Sequence, residues 1–86
     1  MRCLHIIRDP HEQLGLELAS RQAAEHAVSL LLVQDGVLAR PEGLEAASIY
    51  ALADDLEARG RLGAWEAVDY DTAVRLIAEH DKVFVW

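Results

Sequence analysis

Two apolar runs that each end abruptly in polar residues constrain this chain most: Leu30 to Ala39, LLLVQDGVLA, and Ile49 to Gly60, IYALADDLEARG. A strand buried on both faces reads as a continuous apolar run. In a parallel sheet such a strand delivers its following loop to the carboxyl edge, where open α/β folds gather their sites. Two strand ends of this kind, close together in sequence, predict a compact α/β domain spanning residues 1–86.

The remaining elements alternate with short connections. Cys3 to Ile7 reads as a first strand, and Asp9-Pro10 supplies an N-cap with proline in the first helical turn. Leu14, Leu18 and Ala19, continued by Gln22 and Ala23, then recur at helical spacing through about Glu25. Gly15 weakens that helix by about 1 kcal/mol relative to alanine. Val28 to Gln34 is the second strand. Asp35-Gly36 alone suggests a hairpin turn, but the residues after it lack the alternation of a partner strand, so a strand-to-helix loop is preferred, with Pro41 able to start a short helix through Glu45. Ser48 to Leu52 resumes a buried run. Asp54 to Arg59 forms a short helix ended by Gly60 in a left-handed conformation, and Ala64 to Val68 is a fourth strand. Asp71 caps a helix from Thr72 to about His80 with Ala73, Val74, Ile77 and Ala78 on one face, and Lys82 to Trp86 closes the chain as a fifth strand. Strands alternating with helices favour a parallel sheet with helices on both faces.

Composition narrows the functional classes. Fifteen acidic against eight basic side chains give a net charge of −7, which repels a phosphate backbone unless the arginines gather on one face. Arg59 and Arg61 are the only close pair, with no interleaved aromatic residues to stack bases. No stretch approaches the roughly 18 uninterrupted apolar residues of a membrane span, and Arg8 and Asp9 interrupt the N-terminal apolar run before it reaches the length of a secretory signal. A cytoplasmic protein is expected. A single cysteine excludes an internal disulfide framework. A chain of this length buries about 60 to 65% of its unfolded surface, so partner subunits are a plausible source of further stability.

Taken in order, LLLVQDGV, then IYALADDLEARG, then a helix beginning YDTAVRLI, then a short last strand ending in tryptophan resembles the DsrH/TusB family of small sulfur-relay subunits. The likeness extends over nearly the whole chain. It implies a three-layer α/β/α sandwich with a mainly parallel sheet of about five strands, related to the DsrE and DsrF proteins. It also implies assembly with DsrE-like and DsrF-like (TusD-like and TusC-like) subunits that pass persulfide sulfur between cysteines, and no cofactor. One branch of the family supplies sulfur for 2-thiouridine at the tRNA wobble position; another takes part in dissimilatory sulfur oxidation.

Persulfide transfer needs an accessible, stabilised thiolate. Cys3 is the only candidate. It begins the first strand, at the amino edge, where a small buried core residue is expected rather than a sulfur carrier. The TusB-like branch likewise lacks the cysteine that its DsrE-like partner supplies, and the cysteine that DsrH-like members can carry further along the chain is absent here. The expected role is therefore non-catalytic.

Other residues carry paired readings. Gln34, Asp35 and Gly36 match the family's strand-end motif and either line a carboxyl-edge cleft or subunit contact, or serve a turn that glycine permits and Asp35 caps. Asp54, Asp55 and Arg59 allow helix-surface pairing, with Asp55 and Arg59 four residues apart. His5, His11, His26 and His80 contain no i, i+4 pair, so a metal site has little support. Trp65, Tyr70 and Trp86 are candidate partner anchors, Trp65 equally a core residue. A rival class, a phosphate- or magnesium-handling enzyme using Asp9, Asp35 and Asp54 at strand ends, lacks a glycine-rich phosphate loop, and Lys82 falls at the start rather than the end of its strand. A free-standing homo-oligomer without a sulfur role is the other alternative.

Overall fold

A computed structural model describes every residue except Glu42 and Ala46. Strands β1 (Arg2–Ile7), β2 (Ala27–Leu32), β3 (Ser48–Leu52), β4 (Glu66–Val68) and β5 (Lys82–Val85) form one sheet in the order β4-β3-β2-β1-β5. Every pairing is parallel, so Asp35-Gly36 is no hairpin turn. Helix α1 (Gln13–Gln22) joins β1 to β2, a 3-10 turn (Gln34–Leu38) follows β2, α2 (Ala53–Ala58) joins β3 to β4, and α3 (Tyr70–Glu79) joins β4 to β5.

Strand order decides which face each helix covers. From β1 to β4 the chain adds strands in one direction, and right-handed crossovers therefore stay on one face. The step from β4 to β5 reverses direction across the sheet, so its helix must lie on the opposite face. The packing agrees: Ala19 of α1 and Leu56 of α2 join Cys3, Ile7, Val28, Leu30 and Leu32 in one core, while Ala73 and Leu76 of α3 join Leu4, Leu31 and Val68 in another. Strand β2 lies in the middle, with every residue from Val28 to Leu32 buried, which is why it reads as an apolar run broken only by Ser29, whose hydroxyl meets His80.

Several local expectations shift. Helix α1 starts at Gln13 rather than Pro10: Asp9 accepts the His11 amide at 2.7 Å in a preceding turn, and Glu12 caps the helix by accepting from Gly15. The buried stripe of α1 is Gly15 and Ala19, with Leu14 71% exposed. Gly15 has a reason beyond propensity, since a Cβ there would stand 2.7 Å from the Trp86 ring. The loss of helix propensity makes room for an indole. Among the described residues between Pro41 and Glu45 there is no helix, and Glu42 lies outside them.

The cap of α3 is Asp69, not Asp71, and its carboxylate accepts the Thr72 amide at 2.7 Å. Hydrogen bonding with Thr72 holds the Asp69 carboxyl below its usual value of 3.8. Of the residues grouped on one face of this helix, Ala73 is buried but Val74, Ile77 and Ala78 are exposed. The apolar arc of α3 is wider than its contact with the sheet, which takes only the stripe through Ala73 and Leu76.

Candidate functional site at the carboxyl edge

The chain leaves β2 through Val33, whose amide donates to the Ile7 carbonyl at 3.0 Å, and then turns sharply at Gln34. Gln34 has a φ of 52°, the left-handed region that costs a non-glycine residue free energy. Its amide is held by the Asp55 carboxylate at 2.7 Å. Gly36 passes directly under the end of β1, so close that a Cβ would sit 2.7 Å from the Ile7 carbonyl carbon and inside the radius of its oxygen. Glycine is required here by contact.

Arg59, at the end of α2, completes the arrangement. Its Nε donates to Asp35 Oδ1 at 2.9 Å, and its Nη1 donates to the Asp55 carbonyl at 3.2 Å and stands 3.6 Å from Asp55 Oδ1. The i, i+4 spacing of Asp55 and Arg59 brings them to one side of α2, and Asp35 is reached across the loop. Both Asp55 and Arg59 are largely covered, whereas the Asp35 side chain is 67% exposed. One guanidinium thus spans two carboxylates and ties the β2 exit loop to α2. Asp35 does not cap the next segment, because the 3-10 turn has no side-chain cap.

Of the residues picked out by motif, Gln34, Asp35, Gly36, Asp55 and Arg59 therefore meet at one place. Asp54 is exposed and takes no part in these bonds. Trp86 is separate: it follows β5, on the other side of β1 from β2. Its amide donates to the Ile6 carbonyl at 3.0 Å, its carbonyl accepts from Arg8 Nε at 2.8 Å, and its indole N–H donates to His5 Nδ1 at 3.0 Å.

That last bond belongs to a buried polar network that motif reading missed. His5 is fully buried and stacked on Phe84 at 4.7 Å, and its Nε2–H donates to Gln22 Oε1 at 2.6 Å. The indole donor requires an unprotonated Nδ1, which fixes the neutral tautomer. Burial pushes the His5 pKa below 6.5, although the Gln22 hydrogen bond works in the opposite direction. The histidine-to-tryptophan distance in sequence hid the pair; only the adjacency of the first and last strands brings it together.

Chemically, the carboxyl-edge cluster offers hydrogen-bonding and charged groups without a nucleophile. Cys3 is 1% exposed in the first core, at the amino end of β1. Among the described residues no three His, Cys, Asp or Glu side chains converge as a cation site would require, and no helix is long and apolar enough to cross a membrane.

Comparison with known proteins agrees with this architecture. The chain is similar to Protein TusB of Photorhabdus laumondii, with 39% identity over 66% of this chain and 73% of that protein. Its fold superimposes on the crystal structure of the ychN protein from E. coli with a TM-score of 0.76, at 18% identity and over 100% of both chains. The sequence model of the DsrH-like proteins matches residues 8–83. With a match of that extent and the α/β/α layering just described, the chain belongs to the DsrH family.

Proposed function

We propose that this chain is a non-catalytic subunit of a sulfur-relay complex, in which the cysteine that carries persulfide sulfur belongs to a partner and the sulfur moves toward 2-thiolation of the tRNA wobble uridine. The burial of Cys3, the only thiol of the chain, carries this reading. A relay thiolate must meet a donor and an acceptor in turn. A side chain 1% exposed beneath a helix layer does neither.

The partners in this reading are DsrE-like and DsrF-like subunits. Support for assembly comes from the second face of the sheet, where Tyr70, Val74 and Ile77 recur along α3 beside its buried stripe and are exposed. Val83 and Val85 are exposed on the edge strand β5. Exposed apolar residues on a sheet edge and its covering helix form a surface that proteins normally cover. The cluster of Asp35, Asp55 and Arg59 contributes a polar contact at the carboxyl edge, and Trp86 stiffens the β5 end of the sheet.

Co-expression with DsrE-like and DsrF-like subunits, followed by native mass measurement, tests the assembly; a solitary monomer contradicts it. Within the reconstituted complex, Cys3→Ser leaves persulfide transfer at the wild-type rate. Loss of transfer with assembly intact contradicts the non-catalytic role.

A further inference from the structure

We propose that the cavity between residues 37–40 and the loop at 61–65 is a binding site for a small, doubly charged oxyanion. The cavity has a volume of about 240 Å³ and is lined by Arg40, Arg61, the half-buried Trp65 and the segment from Val37 to Ala39. Its first lining segment continues the 3-10 turn that carries Asp35, and Arg61 lies two residues beyond Arg59.

The distribution of cations carries the inference. The protein bears a net charge of −7, and most of its arginines are committed. Arg2 donates to the Glu79 carbonyl, Arg8 to the Trp86 carbonyl, Arg21 to Glu17, and Arg59 to Asp35. Arg40 and Arg61 come from different segments yet line the same cavity, and neither forms an ion pair among the described residues. Two like charges placed together repel, and an anion between them turns that repulsion into attraction. Guanidinium forks match the geometry of tetrahedral oxyanions. The volume is below the range usual for drug-sized ligands, which fits phosphate or sulfate rather than a larger metabolite. The Trp65 ring supplies one wall and a spectroscopic reporter.

The 86-residue chain is titrated with inorganic phosphate and with sulfate at pH 7.5, ionic strength held constant with sodium chloride, while tryptophan emission and the amide resonances of residues 37–40 and 61–65 are followed. Saturable shifts confined to these residues are expected. Arg40→Gln and Arg61→Gln each weaken binding about tenfold, the effect of losing a hydrogen bond to a charged group. Arg75→Gln, which removes an exposed cation elsewhere, leaves it unchanged. The arginines are exposed, so the melting temperatures of the variants stay at the wild-type value. Three results overturn the proposal: shifts that do not saturate, equal weakening by Arg75→Gln, or an Arg40- and Arg61-dependent response to triglutamate without one to phosphate or sulfate. The last identifies a site for an acidic peptide segment instead.

Discussion

On one face of the sheet, α1, the 3-10 turn and α2 together enclose Ile7, Leu30, Leu32, Val37 and Leu56; on the other, α3 alone lies over Leu4, Leu31 and Val68. The difference follows from topology. A single reversal of direction in the strand order places only one crossover on the second face. The closed face has the contacts to determine packing, and the open face retains apolar surface for another molecule. Histidines mark the same contrast. His5, on the closed face, is locked between an indole donor and an amide acceptor. His80, on the open face, donates from Nδ1 to the Leu76 carbonyl at 2.6 Å and meets the Ser29 hydroxyl at 3.0 Å.

The largest expected effect tests the closed face at its tightest point. Gly36→Ala forces a methyl group into the Ile7 carbonyl and should cost more than about 3 kcal/mol, the range of severe overpacking, with unfolding visible by circular dichroism at room temperature. Leu30→Ala removes a fully buried side chain on the same face and is expected to cost about 3 to 5 kcal/mol in urea melts. Leu76→Ala, at the margin of the open face, should cost about 2 kcal/mol. Equal costs for the two leucines would remove the distinction between the faces.

A smaller effect concerns pH. Because burial lowers the His5 pKa, the unfolded chain takes up a proton near 6.5 before the folded chain does. The stability contributed by neutral His5 is therefore complete above about pH 6.5 and declines as pH falls toward the folded value. Urea midpoints measured from pH 7.5 to 5 should fall with acidification, and His5→Gln should flatten that part of the profile. The smallest effect on stability belongs to the open face. The double substitution Val74→Ser with Ile77→Ser should leave the melting of the isolated chain within about 0.5 kcal/mol, while abolishing co-purification with DsrE-like and DsrF-like subunits. A matching loss of fold would show that these side chains serve the chain itself.

Much of the architecture was legible because its strands are periodic and local. LLLVQDGV marks a parallel strand that is buried, IYALADDLEARG marks a second parallel strand in which only Ala51 is buried, and the spacing of Asp55 and Arg59 matches their ion pair. Helix starts were less legible: Asp9-Pro10 and Asp71 are sound capping residues, but the caps are Glu12 and Asp69, because tertiary contacts choose among nearby candidates. The buried stripe of α3 was misassigned at Val74 and Ile77, since hydrophobic spacing reports apolar character and not whether a neighbour covers it. Gly15 looked like a defect until the Trp86 ring lay against it. The capture of Arg59 by Asp35 and the His5 to Trp86 bond join distant parts of the chain, and no local pattern encodes them.

The pairing of β5 with β1 has a consequence for how the chain reaches its fold. Arg2 donates its amide to Asp81 and Asp81 returns its own to the Arg2 carbonyl, across 79 residues. Contacts of such separation form late, because a long loop must close before they are gained. During synthesis the outer edge of β1 consequently stays unpaired until β5 emerges, and this strand edge is one at which an incomplete chain is open to association with the wrong partner.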